Sequence, residues 1–140
     1  MKISIGADHR GYALKQAIVE HLHNIDVHDV GAYSAERSDY PEFAAAVAED
    51  ILKQRADAGI LLCGSGVGMA IAANRVKGIY AGLCWNPAVA IAAKEDDGIN
   101  VLVLPADFLR TAEALIIVDA WLAASFKGGR YQYRLSTLDQ

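Results

Sequence analysis

Ala58-Gly59-Ile60-Leu61-Leu62-Cys63, followed at once by Gly64-Ser65-Gly66-Val67-Gly68, is the stretch on which the fold turns. A short apolar run stopped by glycines reads as a strand buried on both faces. The glycine turn then opens a helix, from Val67 to about Arg75. Working outward, the same alternation recurs. Met1–Gly6 is a short β-branched strand, and Gly11–His23 a helix with Leu14, Ile18, Val19 and Leu22 on one side and Lys15, Gln16 and Glu20 on the other. Val27–Val30 is a weak second strand, 32–40 a polar loop, and Pro41 starts a helix to about Gln54. Beyond the glycines come a strand at Ile79–Cys84, a helix from Pro87 to about Glu95, a strand at Val101–Leu104 and a helix at Ala112–Ala124. A last helix at about 129–139 is expected to pack on a partner subunit. Strands this apolar, alternating with helices, predict an α/β fold of one domain, 1–140. It is a doubly wound, Rossmann-like, five-stranded parallel sheet with helices on both faces.

Composition narrows the function classes. The chain has 140 residues, 54% of them apolar, and 13 basic against 17 acidic residues give a net charge of −4. No basic excess exists to neutralise a phosphate backbone, so no nucleic-acid partner is expected. The apolar runs are too short to span a bilayer and the N-terminus has no signal-peptide core, so no membrane partner is expected either. Two cysteines, Cys63 and Cys84, cannot staple a fold, and they suit a reducing, cytoplasmic setting. All four histidines, His9, His21, His23 and His28, fall within the first 28 residues.

In a doubly wound sheet ligands sit beyond the carboxyl ends of the strands. That nominates Asp8-His9, Asp39-Tyr40, Cys63–Gly68 and Trp85-Asn86. Gly64, Gly66 and Gly68 let a strand-to-helix turn present amides, with the positive end of a helix behind them, to an anion or developing oxyanion. The plain alternative is a tight turn that needs glycine only for packing. The dinucleotide pattern G-x-G-x-x-G fails at Met69, and Tyr12-Ala13 stand where a P-loop needs Lys-Ser/Thr, so nucleotide binding is disfavoured. Cys63 ends its strand against this loop, where a helix N-terminus can favour a thiolate, whereas Cys84 reads as inert core. Asp8 and His9 can bind hydroxyls or phosphate or shuttle a proton, or Asp8 can simply cap the next helix. His21, His23 and His28 read as surface residues. Arg130 and Arg134, four apart, share a helical face suited to a phosphate or carboxylate, or to water.

Together GADHRGY at 6–12, SAERSDYP at 34–41, LLCGSGVGMAIAAN at 61–74, NVLVLP at 100–105, IVDAWL at 117–122 and GGRYQYR at 128–134 resemble the type B ribose-5-phosphate isomerase family, which includes galactose-6-phosphate isomerase subunits. The resemblance spans essentially the whole chain. It implies a pentose phosphate pathway enzyme that interconverts ribose 5-phosphate and ribulose 5-phosphate through a cis-enediolate, with no metal or other cofactor. Cys63 matches the base, Ser65 the assisting hydroxyl, and Gly64, Gly66, Val67 and Gly68 the enediolate cradle. Asp8 and Tyr40 match sugar-contacting positions, and His9, Arg130 and Arg134 match phosphate-binding ones. The resemblance also implies a homodimer with shared active sites, or a tetramer built from it.

Two positions depart from the pattern. Asp96-Asp97 stand where the family has His-Asn, the histidine that opens the furanose ring. Asp96 is therefore expected as the catalytic substitute, its pKa raised by neighbouring carboxylates, with Asp97 and Asn100 binding substrate. This segment precedes the fifth strand, at the opposite end of the sheet from Cys63, so a second subunit must supply it. Ala106-Asp107 stand where the family has Gly-Arg; Arg110 follows three residues on, and Asp107 would repel a phosphate unless it points away. Besides the ribose 5-phosphate reading, two alternatives stay open. One is the same mechanism on allose 6-phosphate, galactose 6-phosphate or an unphosphorylated sugar acid; the other is a non-catalytic sugar-phosphate-binding paralogue.

Overall fold

The computed structural model describes all residues, 1–140. Five strands, β1 (Lys2–Ala7), β2 (Asp26–Asp29), β3 (Ala58–Cys63), β4 (Ala81–Leu83) and β5 (Val101–Pro105), form one parallel sheet in the order β2-β1-β3-β5-β4. The helices are α1 (Tyr12–His21), α2 (Tyr40–Leu52), α3 (Val67–Asn74), α4 (Pro87–Asp97), α5 (Thr111–Ala123) and α6 (Arg130–Leu138), with a single 3-10 turn at Ala106–Phe108. The central strand β3 explains the two layers by its two-residue period. Ile60 and Leu62 join the core under α1, α4 and α5, with Ile18, Ile117 and Trp121. Leu61 and Cys63 join the core under α2 and α3, with Phe43, Val47 and Met69. Each such fully buried aliphatic or aromatic side chain contributes about 1.5–3 kcal/mol by leaving water. The chain leaves β1 for β2 on one side and returns to β3 on the other, so the switch point lies between the ends of β1 and β3.

The expectation of fully covered strands holds for β1, β3 and β5 and fails at the edges, where β2 alternates between exposed and half-buried and β4 is half-buried throughout. The strand read at Ile79–Cys84 shrinks to three residues. Asn100 is the reason: its amide donates to the Gly78 carbonyl at 2.9 Å and accepts from the Tyr80 N–H at 2.8 Å, holding the lead-in as a turn. Helix α4 runs on through Asp96 and Asp97 to Gly98, which takes a left-handed φ of 57°. Acidic residues oppose the dipole at a helix C-terminus, which is why the sequence suggests an earlier end; the Lys127 ammonium, 2.7 Å from Asp96 Oδ1, offsets that cost. Lys15, placed on the polar side of α1, is in fact fully buried. Its ammonium lies 2.6 Å from both oxygens of Asp29 and over the rings of Tyr12 and Tyr33. A distant anion and two rings make its burial tolerable, and none of them is adjacent in sequence. Helix α6 docks on its own chain through Leu135, against Gly98 at the end of α4, and leaves Tyr133 and Leu138 exposed.

Candidate active site

At the switch point a cleft of about 410 Å³ is lined by Asp8, Arg10, Tyr40, Cys63, Gly64, Ser65, Gly68, Asp107 and Phe108. Cys63 is the last residue of β3, paired with Pro105 of β5, and is 5% exposed. Behind it the glycine loop is shaped by contacts that admit no side chain. Gly66 has a φ of 78°, a conformation natural to glycine, and a Cβ there would strike Leu83. A Cβ on Gly68 would meet the Tyr40 ring at 2.7 Å, so this glycine lets Tyr40 close one side of the cleft. The amides of Gly64, Ser65 and Gly66 have no partner within the chain, and the Val67 amide donates to Ser65 Oγ at 3.2 Å. Free amides at the start of a helix suit an anionic oxygen.

Asp8 does not cap α1, whose N-cap is Gly11 with no side-chain cap. Instead Asp8 Oδ1 accepts from the amides of Arg10 and Gly11 at 3.0 and 3.2 Å, bending the chain after β1. A Cβ on Gly11 would meet Leu62 at 2.7 Å, so only glycine lets this turn press on β3. His9 Nδ1 lies 3.2 Å from both the amide and the carbonyl of Ser38, which ties the 32–39 loop to the site through Nδ1 rather than Nε2. Of the other histidines, His23 is exposed and His21 meets Asp119. His28 departs from a plain surface role: its Nδ1 lies 2.7 Å from the buried Asp50 carboxylate.

The remaining expected site residues lie elsewhere in the same chain. Asp96, Asp97, Asn100, Arg130 and Arg134 gather around the end of α4 and the start of β5, at the opposite end of the sheet from Cys63. There Tyr131 is flanked by Lys127, Arg130 and Arg134, with ring distances of 5.3, 5.1 and 5.3 Å. The hydrogen bond donated by Arg130, then the nearby cations, pull the Tyr131 phenol below its ordinary pKa. Asp96 faces the Lys127 ammonium, and this contact raises the Lys127 pKa. Asp96 thus has a cation beside it in addition to its neighbours Glu95 and Asp97. Asn100, expected to bind substrate, spends its amide on Gly78 and Tyr80.

Arg10 is the cleft residue that sequence reasoning passed over, although it stands beside His9. Asp107 does not point away: its carboxylate pairs with the Arg10 guanidinium over Gly64, and its amide donates to the Gly64 carbonyl at 2.9 Å. Arg110 turns outward to Glu113 at 3.1 Å. Burial pushes the Cys84 thiol up to about 11, as suits an inert core residue. No group of three His, Cys, Asp or Glu side chains is placed to hold a metal ion, and no helix is long and apolar enough to cross a membrane.

The comparisons with known proteins agree with this geometry. The family model described as Ribose/Galactose Isomerase matches residues 3–138. Ribose-5-phosphate isomerase B of Escherichia coli (strain K12) is 42% identical, the match covering 98% of this chain and 93% of the relative. A ribose 5-phosphate isomerase structure from Thermotoga maritima is 44% identical and superposes with a TM-score of 0.97, covering 99% of this chain and 97% of the other. Ribose-5-phosphate isomerase B from Mycoplasma genitalium, solved with bound ribulose-5-phosphate, is 42% identical with a TM-score of 0.93, covering 98% and 93%. With the family model matched over 3–138 and relatives of 42–44% identity covering nearly the whole chain in the same fold, this chain belongs to the ribose/galactose isomerase family.

Proposed function

We propose that the chain interconverts ribose 5-phosphate and ribulose 5-phosphate, with Cys63 moving the proton between C1 and C2. The observation that carries this reading is the meeting of Cys63 with a loop of unpartnered amides in a cleft sized for a sugar phosphate. As a thiolate, Cys63 takes the C2 proton of the open-chain aldose and returns it to C1, while the hydroxyl proton on O2 passes to O1, so that C1 becomes the alcohol and C2 the carbonyl. The amides of the Gly64–Gly68 loop, with the Ser65 hydroxyl, carry the negative charge of the enediolate. Asp8 and Tyr40 hold sugar hydroxyls, and His9 meets the phosphate through Nε2. The named substrate of the relatives, and the ribulose-5-phosphate held by the Mycoplasma genitalium structure, support the pentose phosphate as substrate. Two free cysteines fit a reducing cytoplasm.

The site is completed by a second copy of the chain in a homodimer. Val67 and Ile71 on α3 expose 49% and 53% of their surface beside the glycine loop. An apolar face contiguous with a site is suited to a partner that also closes the site. Across it, Asp96 of the second copy serves ring opening, its Asp97 binds substrate, and its Arg130 and Arg134 serve the phosphate. The Asp107 carboxylate in the cleft favours one rival, the same proton transfer on another sugar. Ketose formation from ribose 5-phosphate, allose 6-phosphate, galactose 6-phosphate and an unphosphorylated sugar acid separates the two. Ribose 5-phosphate is expected to have the highest kcat/KM; preference for another sugar would transfer the assignment, and no turnover of any would leave a binding protein.

A further inference from the structure

The pair Arg10–Asp107 is not a surface ornament. Arg10 follows β1 and Asp107 follows β5, the two neighbours of β3, so their side chains meet across the end of the central strand. They pass directly over Gly64: a Cβ at that residue would lie 2.7 Å from Asp107 Oδ2 and 2.9 Å from Arg10 Nε. Both ends are fixed by the backbone. The Arg10 amide donates to Asp8 Oδ1 at 3.0 Å, and the Asp107 amide donates to the Gly64 carbonyl at 2.9 Å. Exposed ion pairs add little to stability, typically 0.2–1 kcal/mol. Stability is thus a weak account of a pair that spans the mouth of the catalytic cleft.

Arg10 is the one cation among the residues that line this cleft. Its side chain is 60% exposed, and the guanidinium has five donors in a rigid fork, of which Asp107 occupies only part. We infer that Arg10 is the anion-recognition residue of the cleft, receiving the terminal phosphate of the sugar, and that Asp107 is a positioning residue that holds the guanidinium over Gly64. The inference rests on the isomerase reading for its substrate. Asp107 is neutralised by Arg10 within the pair, so it need not repel the phosphate that a free carboxylate would.

The test uses Arg10→Ala, Arg10→Lys and Asp107→Asn in the full chain. Each is measured for kcat and KM with ribose 5-phosphate and for inhibition by inorganic phosphate. Arg10→Ala is expected to raise KM and the phosphate inhibition constant together, on the order of tenfold, with kcat changed much less. Arg10→Lys, which keeps the charge and loses the fork, should fall between. Asp107→Asn should shift both constants in the same direction by a smaller factor, without lowering kcat. Unchanged KM and phosphate inhibition in Arg10→Ala, beside an active wild type, would overturn the inference and leave the isomerase reading standing. An inactive wild type would reject the isomerase reading instead. Direct titration of inorganic phosphate then decides for Arg10: binding weakened by Arg10→Ala supports its role, and equal binding rejects it.

Discussion

Two cysteines of similar burial differ because of what surrounds them. Cys84 is enclosed by core, and burial has pushed its thiol up to about 11, far from thiolate chemistry at neutral pH. Cys63 ends its strand in the cleft, against amides with no partner of their own. Cys84→Ala is expected to keep kcat within about a factor of two, at the cost of packing only, which steady-state kinetics with ribose 5-phosphate would check. A different single residue governs stability. Burial raises the cost of charging Asp50, yet hydrogen bonds from Ser4, Arg55 and His28 outweigh it and hold its carboxyl below the usual carboxylate range. A depressed folded pKa stabilises the fold above the unfolded value near 3.9, and that contribution is lost as pH falls through the folded value. Asp50→Asn should therefore destabilise the protein by about 2 kcal/mol at pH 7. Denaturant titrations should show the gap to wild type narrowing below about pH 4, and a gap constant down to pH 2 would contradict this.

Among the elements, the glycine loop is the part whose sequence states both structure and purpose. Gly68 gives room to the Tyr40 ring and Gly64 to the Arg10–Asp107 pair, so one loop sets the width of the cleft. Gly68→Ala would press a methyl group into the Tyr40 ring. It is expected to lower kcat/KM for ribose 5-phosphate by on the order of tenfold while thermal melting shows a folded protein; unaltered kcat/KM would show that this spacing is not critical. Strand β3 and the loop were legible because a buried strand and a strand-to-helix turn are written in adjacent residues. Lys15 and Asn100 were not, since their partners Asp29, Gly78 and Tyr80 lie 14 to 22 residues away and only the fold brings them together. Arg10 was hidden for the same reason: its partner Asp107 is remote in sequence, and only the pairing of β1 and β5 on either side of β3 brings the two together.

For the whole molecule, the sequence implied that one chain would not hold a complete site. The structure puts Asp96, Arg130 and Arg134 at the end of the sheet away from Cys63. Sharing between copies is testable by mixing two inactive variants, Cys63→Ala and Arg130→Ala/Arg134→Ala, under conditions that let subunits exchange. Mixed dimers would contain one doubly damaged site and one intact site. Activity should thus return to roughly a quarter of wild type, and no recovery after proven exchange would place each site within a single chain. The central claim remains the proton transfer by Cys63, and the most direct measurement is kcat for Cys63→Ala with ribose 5-phosphate, alongside inhibition by inorganic phosphate. Loss of a general base predicts a kcat lower by about 10²–10⁴-fold with phosphate inhibition unchanged; a kcat within a few-fold of wild type would contradict it.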